Sequence, residues 1–465
     1  MRGYRDRASK LTTLFALCFV QSCLGVTVHR VRINAQNSDW FGSCPPKRIH
    51  EATSGDCING REILGVPTTD IRLTWEIMAD RSLRDVRQLE YEAEIFEVGG
   101  TEPVWTSKNI SSSDSFTIAR PIPELHPEAS YFCRVRTLVS LQEVYRAPQS
   151  DSPSSLQNST RQFQNLDSKH APGVWTNWST PVYFDTDLGA DSWQARGSMW
   201  ISGYNELRSS FQLASTAVAR ARLYSVGLGS FVVFMNGERV GDHVFDPPQT
   251  AYPKRLLYST YNITQRLRSG SNVVGVRLGR YKFGYMDVWC NLTAANHQRA
   301  ACRSFRMQLV VEMEDGSVFT HVSSVKGWEG RWGPIVYDHE YHGEIYDSRR
   351  ELGGWNNVTG LRKRTGDNIS HHLVTHTDYE GTGHNHKAID LDGIEDGDWG
   401  PVVEAPPARI SDSALMPTRI PPIRIVESRL PISISKIEHP PHDEVSHMRS
   451  ATQLTWLALG RKLQE

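Results

Sequence analysis

Asn236-Gly237, lying between alternating apolar runs, constrains the fold more than any other feature of this chain. Asn and Gly tolerate the positive φ that both central positions of a type I′ turn require, so the pair predicts a tight antiparallel hairpin. The neighbourhood repeats the theme. Residues 219–224 alternate as a strand, Gly227-Leu228-Gly229 turns the chain, and residues 231–235 run back as the next strand. Further strands are expected at 256–261, 273–278, 305–313 and 317–322, with Asp315-Gly316 closing the last pair as a second hairpin. Many short strands at regular spacing predict a jelly roll or sandwich. The Gly-x-Gly at 227–229 is no nucleotide loop, because no helix follows it and the third glycine is missing.

A second sandwich is expected upstream. Ile71, Leu73 and Trp75 alternate with polar residues, as do Leu89, Tyr91, Ala93 and Ile95, the period-two signature of half-buried strands. Gly99-Gly100 marks a turn, and residues 131–136 form another strand. After a Ser/Gln-rich insertion at roughly 141–170 comes Val174-Trp175-Thr176-Asn177-Trp178-Ser179. Arg134 and Arg136 share one strand face, so their guanidinium groups can stack on Trp175 and Trp178, each contact worth ~0.5–2 kcal/mol. This predicts a rigidifying ladder rather than a ligand site. The arrangement resembles a fibronectin type III or Ig-like module. Its tryptophan segment is similar to the Trp-Ser-x-Trp-Ser signature of cytokine receptors, with Thr176 replacing the first Ser.

Composition narrows the function. The 51 Lys+Arg against 52 Asp+Glu leave a net charge of −1, so the basic excess expected of a general nucleic-acid binder is missing. Arg2, Arg5, Arg7 and Lys10 precede a short apolar run at 11–20, with small residues around Cys23 and Gly25; residues 1–25 read as a signal peptide. The run is about half the ~20 residues a membrane helix needs, and no later segment is long enough either. A secreted, extracellular product without a membrane span is expected. Cys44, Cys57, Cys133, Cys290 and Cys302 would then remain. Cys44/Cys57 and Cys290/Cys302 are short-loop candidates for disulfides, leaving Cys133 buried or unpaired, with connectivity open in the sequence. Sequons at Asn109, Asn158, Asn177, Asn262, Asn291, Asn357 and Asn368 fit a glycoprotein.

Longer stretches carry a family resemblance. ARARLYSVGLGSFVVFMNGERVGDHVFDP and then YPKRLLYSTYNITQRLRSGSNVVGVRLGRYKFG look like the N-terminal β-sandwich of α-L-rhamnosidases. DTDLGADSWQARGSMWISG resembles the junction that joins an Ig-like module to that sandwich, and 341–349, YHGEIYDSR, is similar to the family's Gly-Glu-x-Tyr-Asp-Ala-Arg stretch with Ser348 for Ala. Trp399-Gly400-Pro401-Val402 and Ile420-Pro421-Pro422-Ile423-Arg424 resemble segments that open a following β-domain.

The resemblance, over roughly 66–435, implies an all-β fold of tandem antiparallel sandwiches. An Ig/fibronectin III-like sandwich is expected at 66–190, a jelly-roll carbohydrate-binding-like sandwich at 191–350, and a partial third β-domain with an insertion loop at 351–435. A segment at 26–65 would precede them and an irregular tail at 436–465 would follow. The family hydrolyses terminal α-L-rhamnose with inversion, using one carboxylic acid and one water-activating carboxylate. It carries these in a C-terminal (α/α)₆ barrel, expected to lie beyond Glu465, so no catalytic residue is assigned.

The expected role is therefore recognition of a rhamnose-containing glycoside. A free rhamnose-binding lectin-like module and a receptor-like ectodomain for protein ligands are the alternatives. Related sandwiches bind rhamnose, sometimes with calcium, and interstrand loops are where such sites form. Asn236, Asp242, Tyr281, Tyr285 and Asp287 lie at or beside loops and combine hydrogen-bonding groups with aromatic faces. Ordinary turn and core roles compete for the same residues.

Three polar constellations complete the reading. Asp338, Glu340, His342 and Glu344 alternate along DHEYHGE, so a single strand would put all four on one face, where a hard cation could sit. His339 and His342 are three apart, whereas the zinc-protease motif needs four. His371, His372, His376, His384 and His386 lie in an expected insertion loop, and His442, Asp443, Glu444 and His447 in Pro-rich coil. No metal site is assigned.

Overall fold

The computed structural model describes residues 26–34, 36–37, 63–80, 83–143, 173–214, 217–252, 254–281, 283, 303–339, 343–362, 399–405 and 415–424. These residues build two β-sandwiches in tandem.

The first sandwich faces a four-stranded sheet, in the order Gln36–Asn37, Val26–Ile33, Ile71–Ala79, Phe116–Ala119, against a seven-stranded one. The path of the larger sheet is Ile63–Val66, Val182–Thr186, Ser130–Glu143, Leu83–Glu97, Pro103–Thr106. Val174–Trp175 and Ile110–Ser111 pair beside that path. The stretch 26–65, expected as a separate segment, supplies Val26–Ile33, Gln36–Asn37 and most of Ile63–Val66. Val28, Ile33, Leu73, Trp75, Tyr91, Ile95, Tyr131, Val135 and Phe184 share the core. Cys133 is buried there as a free thiol, and burial pushes its pKa up to about 12, so it packs as a small apolar group.

Alternation is interrupted by register shifts, as between His29 and Arg32, and one of them reverses an expectation. The pairing of Leu83–Glu97 with Ser130–Glu143 slips between Gln88 and Glu90, which exchanges inward and outward positions. Leu89, expected inside, is 40% exposed. Gln88 is buried instead, accepting from the Trp75 indole N–H at 2.9 Å and donating to the Ser112 and Asp114 carbonyls. On the outer face of the same sheet, Arg134 lies 4.7 Å from the Phe96 ring centre and 4.4 Å from that of Trp178. Arg136 lies 5.0 Å from Trp175 and 4.6 Å from Trp178. Glu94 and Glu92 hold the two arginines, completing the expected ladder.

The second sandwich also has two main sheets. One runs Val403–Glu404, Ile201–Ser202, Ser304–Met313, Val218–Leu228, Leu256–Asn262, Leu415–Pro417, with Val318–Val322 on Ser304–Met313. The other runs Glu238–Arg239, Ser230–Met235, Gly270–Gly279, Glu206–Leu213, Trp328–Arg331, Gly400–Pro401. Leu207, Phe211, Leu223, Phe231, Val276, Phe305, Leu309 and Trp328 fill the space between. Asn236-Gly237 makes the expected two-residue hairpin, with φ of 55° and 93° and Met235 opposite Glu238.

Gly227-Leu228-Gly229 behaves differently from expectation. It carries the chain across to the facing sheet, because Ser230–Met235 pairs with Gly270–Gly279 and not with Val218–Leu228. Gly229 has φ +98°, and a Cβ there would lie 2.2 Å from the Gly279 carbonyl oxygen. Only glycine fits.

The third β-domain expected at 351–435 forms no separate sheet among the described residues. Gly400–Pro401, Val403–Glu404 and Leu415–Pro417 extend the sheets of the second sandwich, with Val402 and Leu415 buried. The cause is an outer face that needs a cover. Arg208, with a side chain 1% exposed, bonds the Trp355 carbonyl at 2.9 Å and sits 3.7 Å from the Trp399 ring centre.

The sandwiches meet over a buried ionic junction. Asp185, at the end of the first, receives Arg222 Nε at 2.6 Å, Arg220 at 3.3 Å and the Ser130 hydroxyl at 2.6 Å. Arg196 forks onto Glu128 at 3.0 and 2.6 Å, and Arg220 also donates to the Glu128 carbonyl. Among the described residues no helix is long and apolar enough to cross a membrane.

Candidate functional site

The chain leaves Asn236-Gly237 through Glu238–Arg239 into a long loop at 240–255, and this loop holds an unusual pair of aromatics. Phe245 is 59% exposed, has φ +60° and stacks on Tyr281, whose φ is +42°, with ring centres 5.7 Å apart and planes 19° apart. Left-handed backbone is costly for a residue with a bulky side chain, and such strain persists where surrounding contacts fix it. Here those contacts are explicit. The Val244 N–H donates to the Ile423 carbonyl at 2.9 Å, and His243 bridges to Arg424.

Beneath the stack runs a polar relay. Asp246 is buried, accepts from the Tyr261 hydroxyl and lies 2.8 Å from His243 Nδ1. His243 Nε2 lies 3.3 Å from an Arg424 nitrogen. A guanidinium only donates, so Nε2 accepts and Nδ1 carries the proton toward Asp246. Burial, then the Asp246 carboxylate, hold the Tyr261 phenol well above its ordinary pKa. On the other side, Asp338 accepts from the Arg280 backbone N–H at 2.5 Å and pairs with Arg303 at 2.6 Å. Arg280 also donates to the Asp338 carbonyl, so the hairpin Ile335–His339/Gly343–Tyr346 braces the residue before Tyr281.

Of the sequence candidates, Tyr281 and Asp242 belong to this loop cluster. Asp242 is exposed, 3.5 Å from Arg424 Nε. Asn236 does not belong. It is buried, accepts from the Val273 N–H and donates to the Arg266 carbonyl and the Asn272 side chain, so its amide is spent on the turn. Tyr285 and Asp287 lie outside the described residues. Phe245, His243, Asp246 and Arg424 were not anticipated; the only signal was an apolar residue out of phase in VGDHVFDP.

The DHEYHGE reading needs correction. The chain reverses inside it, so Asp338 and Glu344 face each other across two strands instead of lining one. Glu344 is exposed, and its pKa is raised by partial desolvation and then by Asp338. Glu340, His342, the 371–386 histidines and the tail cluster lie outside the described residues. Among the described residues no three or more His, Cys, Asp or Glu gather to hold a metal ion. Cys44, Cys57, Cys290 and Cys302 also lie outside them, as do Asn158, Asn291 and Asn368.

The remaining sequons divide by exposure and not by bonding, because the Asn262 Oδ1, like that of Asn357, accepts from the N–H and hydroxyl of the Thr two residues on. Asn109, Asn177 and Asn262 are exposed. Asn357 is half-buried, and its Oδ1 accepts from the Thr359 N–H, the Thr359 hydroxyl and the Gly360 N–H. Its Nδ2 lies 3.4 Å from where a Gly237 Cβ would be. Chain passed through a eukaryotic secretory route should carry glycans at the first three and none at Asn357. Enzymatic deglycosylation in heavy-oxygen water followed by peptide mass spectrometry reads this; a labelled Asn357 would refute it.

An Ig-like sandwich joined to a larger antiparallel sandwich, with an aromatic loop cluster on the second, defines an all-β architecture of tandem sandwiches. Its family follows from the matches. Residues 53–152 match the Rha78A-like N-terminal immunoglobulin domain, and residues 216–427 match the α-L-rhamnosidase N-terminal domain. The chain is thus an N-terminal region of the α-L-rhamnosidase family.

An α-L-rhamnosidase of Formosa agariphila is 32% identical over 230 residues, covering 42% of this chain and 24% of that protein. One of Streptomyces avermitilis is 36% identical over 169 residues, covering 36% and 16%. The chain spans a quarter or less of these relatives. Among solved structures, the α-L-rhamnosidase of Dictyoglumus thermophilum aligns with TM-score 0.54 at 24% identity, over 81% of this chain and 36% of that one. The Streptomyces avermitilis enzyme complexed with L-rhamnose gives TM-score 0.54 at 16% identity, over 86% and 47%. These likenesses concern the fold.

Proposed function

We propose that this chain is the secreted, carbohydrate-recognising front of an α-L-rhamnosidase, that rhamnose-containing glycosides are its ligands, and that it serves recognition alone. The observation that carries the reading is the Phe245–Tyr281 slab, an exposed aromatic face with Asp242 and Arg424 at its border, inside the region matching the rhamnosidase N-terminal domain. Aromatic faces receive the apolar faces of sugar rings while carboxylate and guanidinium groups bond hydroxyls. The charged start of the chain and the exposed sequons support secretion.

Calorimetry with rhamnose tests this, run with and without calcium. Heat is expected at millimolar sugar, and Phe245→Ala or Tyr281→Ala should weaken binding about tenfold, equivalent to ~1.4 kcal/mol. The same preparation should leave aryl α-L-rhamnosides intact. No heat at millimolar rhamnose would make the loop cluster purely structural.

A further inference from the structure

We propose that the junction between the sandwiches is a proton-operated latch, closed while Asp187 carries its proton and loosened when it ionises. The inference stands apart from the carbohydrate reading and rests on how the chain is handed from one sandwich to the next. The Asp187 N–H donates to the Val66 carbonyl at 2.7 Å, and its carbonyl accepts from the Glu128 N–H at 2.8 Å. The next N–H, that of Leu188, donates to the Tyr258 hydroxyl at 3.2 Å, across the junction. The backbone here is the hinge pin. Anything that strains it strains the domain contact.

The two carboxyl groups on this segment are set up in opposite ways. Asp185 faces two guanidinium groups and a hydroxyl, which favour its anion and hold its pKa below the ordinary carboxylate range. The Asp187 carboxyl has one hydrogen bond among the described residues, from the Gly189 N–H at 3.1 Å. The loop before Ser130–Glu143 presents Glu124 and Glu128 to it, with exposed His126 between them. Strand Leu256–Asn262 presents the Tyr258 phenol, and the segment after Leu415–Pro417 presents Arg419. Glu128 is already held by Arg196.

Burial, the largest influence, together with Glu124 and Glu128 outweighs the Gly189 N–H and Arg419, and raises the Asp187 pKa to about 6. An opened junction would return the carboxyl to water and to its ordinary proton affinity. Ionisation therefore favours opening, by up to about a hundredfold for a shift of roughly two units. Acid closes the latch. Neutral pH slackens it.

Hydrogen exchange on the whole chain, corrected for intrinsic rates, tests the latch through the Asp187, Leu188 and Gly189 amides. Their protection should fall tenfold or more between pH 5 and pH 7.5. Asp187→Asn, which mimics the protonated group, should keep the pH 5 protection at both values. Glu124→Gln removes a neighbouring negative charge at an exposed site, so the midpoint should move to lower pH. Equal protection at both pH values in the native chain overturns the proposal, as does an Asp187→Asn variant that keeps the native pH dependence. Should Asp187→Asn fail to fold, an unshifted midpoint in Glu124→Gln overturns it equally.

Discussion

Replacing Asp185 by Ala should destabilise the protein by about 3–5 kcal/mol, the usual cost of removing one partner from a buried ion pair. Its side chain is 4% exposed and so is that of Arg222, so water cannot take over the lost role. Burial alone would raise the Asp185 pKa, but Arg222, Arg220 and the Ser130 hydroxyl together hold it below the ordinary carboxylate range. That stability is present above the unfolded pKa and is lost as pH falls through the lowered one. Asp185→Asn keeps the volume and removes the charge, so it should reproduce most of the loss. The double variant Asp185→Leu/Arg222→Met removes both ends and should recover part of it. Urea denaturation gives the comparison. Two separate transitions in Asp185→Ala would show that this cluster couples the sandwiches. A loss below about 1 kcal/mol would mean that water or a neighbour replaces the carboxylate, and the junction would not be the dry clamp described.

That cluster also shows where sequence reading runs out. Arg220 and Arg222 occupy the polar half of an alternating strand, and alternation reports only which side faces the strand's own sandwich. Their face is buried because a second domain lies on it, a fact no periodicity in 218–228 can hold. Arg134 and Arg136 were legible for the opposite reason: their partners Trp175 and Trp178 belong to the same module and carry a recognisable spacing. Leu89 misled because a slipped register leaves composition unchanged while exchanging two faces. In DHEYHGE the reversal between Asp338 and Glu344 has no Asn-Gly or Asp-Gly to announce it, unlike Asn236-Gly237 and Asp315-Gly316. The aromatic slab was half visible. Tyr281 stands beside a loop in sequence, but its partner Phe245 is 36 residues away, and the backbone that exposes it is imposed by the segment ending at Arg424.

Stability between pH 4 and 6.5 should be nearly flat in the native chain, and steep in opposite directions in two single variants. His321 lies on Val318–Val322 against Phe211, 4.8 Å between ring centres, and stacks on Trp328 at 6.1 Å. Its buried Nε2 has no hydrogen-bond partner among the described residues, and desolvation lowers its pKa to about 4. The unfolded chain protonates this histidine near pH 6.5 and the folded chain does not. Its contribution is therefore whole above pH 6.5 and lost as pH falls toward 4, amounting to about 3 kcal/mol. Asp187 has the reverse sign. Its pKa is raised to about 6, so its contribution is whole below the unfolded carboxylate pKa and lost as pH rises through 6. The two slopes oppose each other over one window and are of similar size. His321→Phe keeps an aromatic in the stack and removes the titration, leaving stability that declines with rising pH. Asp187→Asn leaves only the histidine, so stability should decline with falling pH. Urea midpoints at half-unit pH intervals decide the matter. A flat profile in Asp187→Asn would show that the imidazole takes a proton in the folded state at ordinary pH, and that the Phe211–Trp328 sandwich is open enough to admit water. A flat profile in His321→Phe would show that Asp187 binds its proton alike in the folded and unfolded chain.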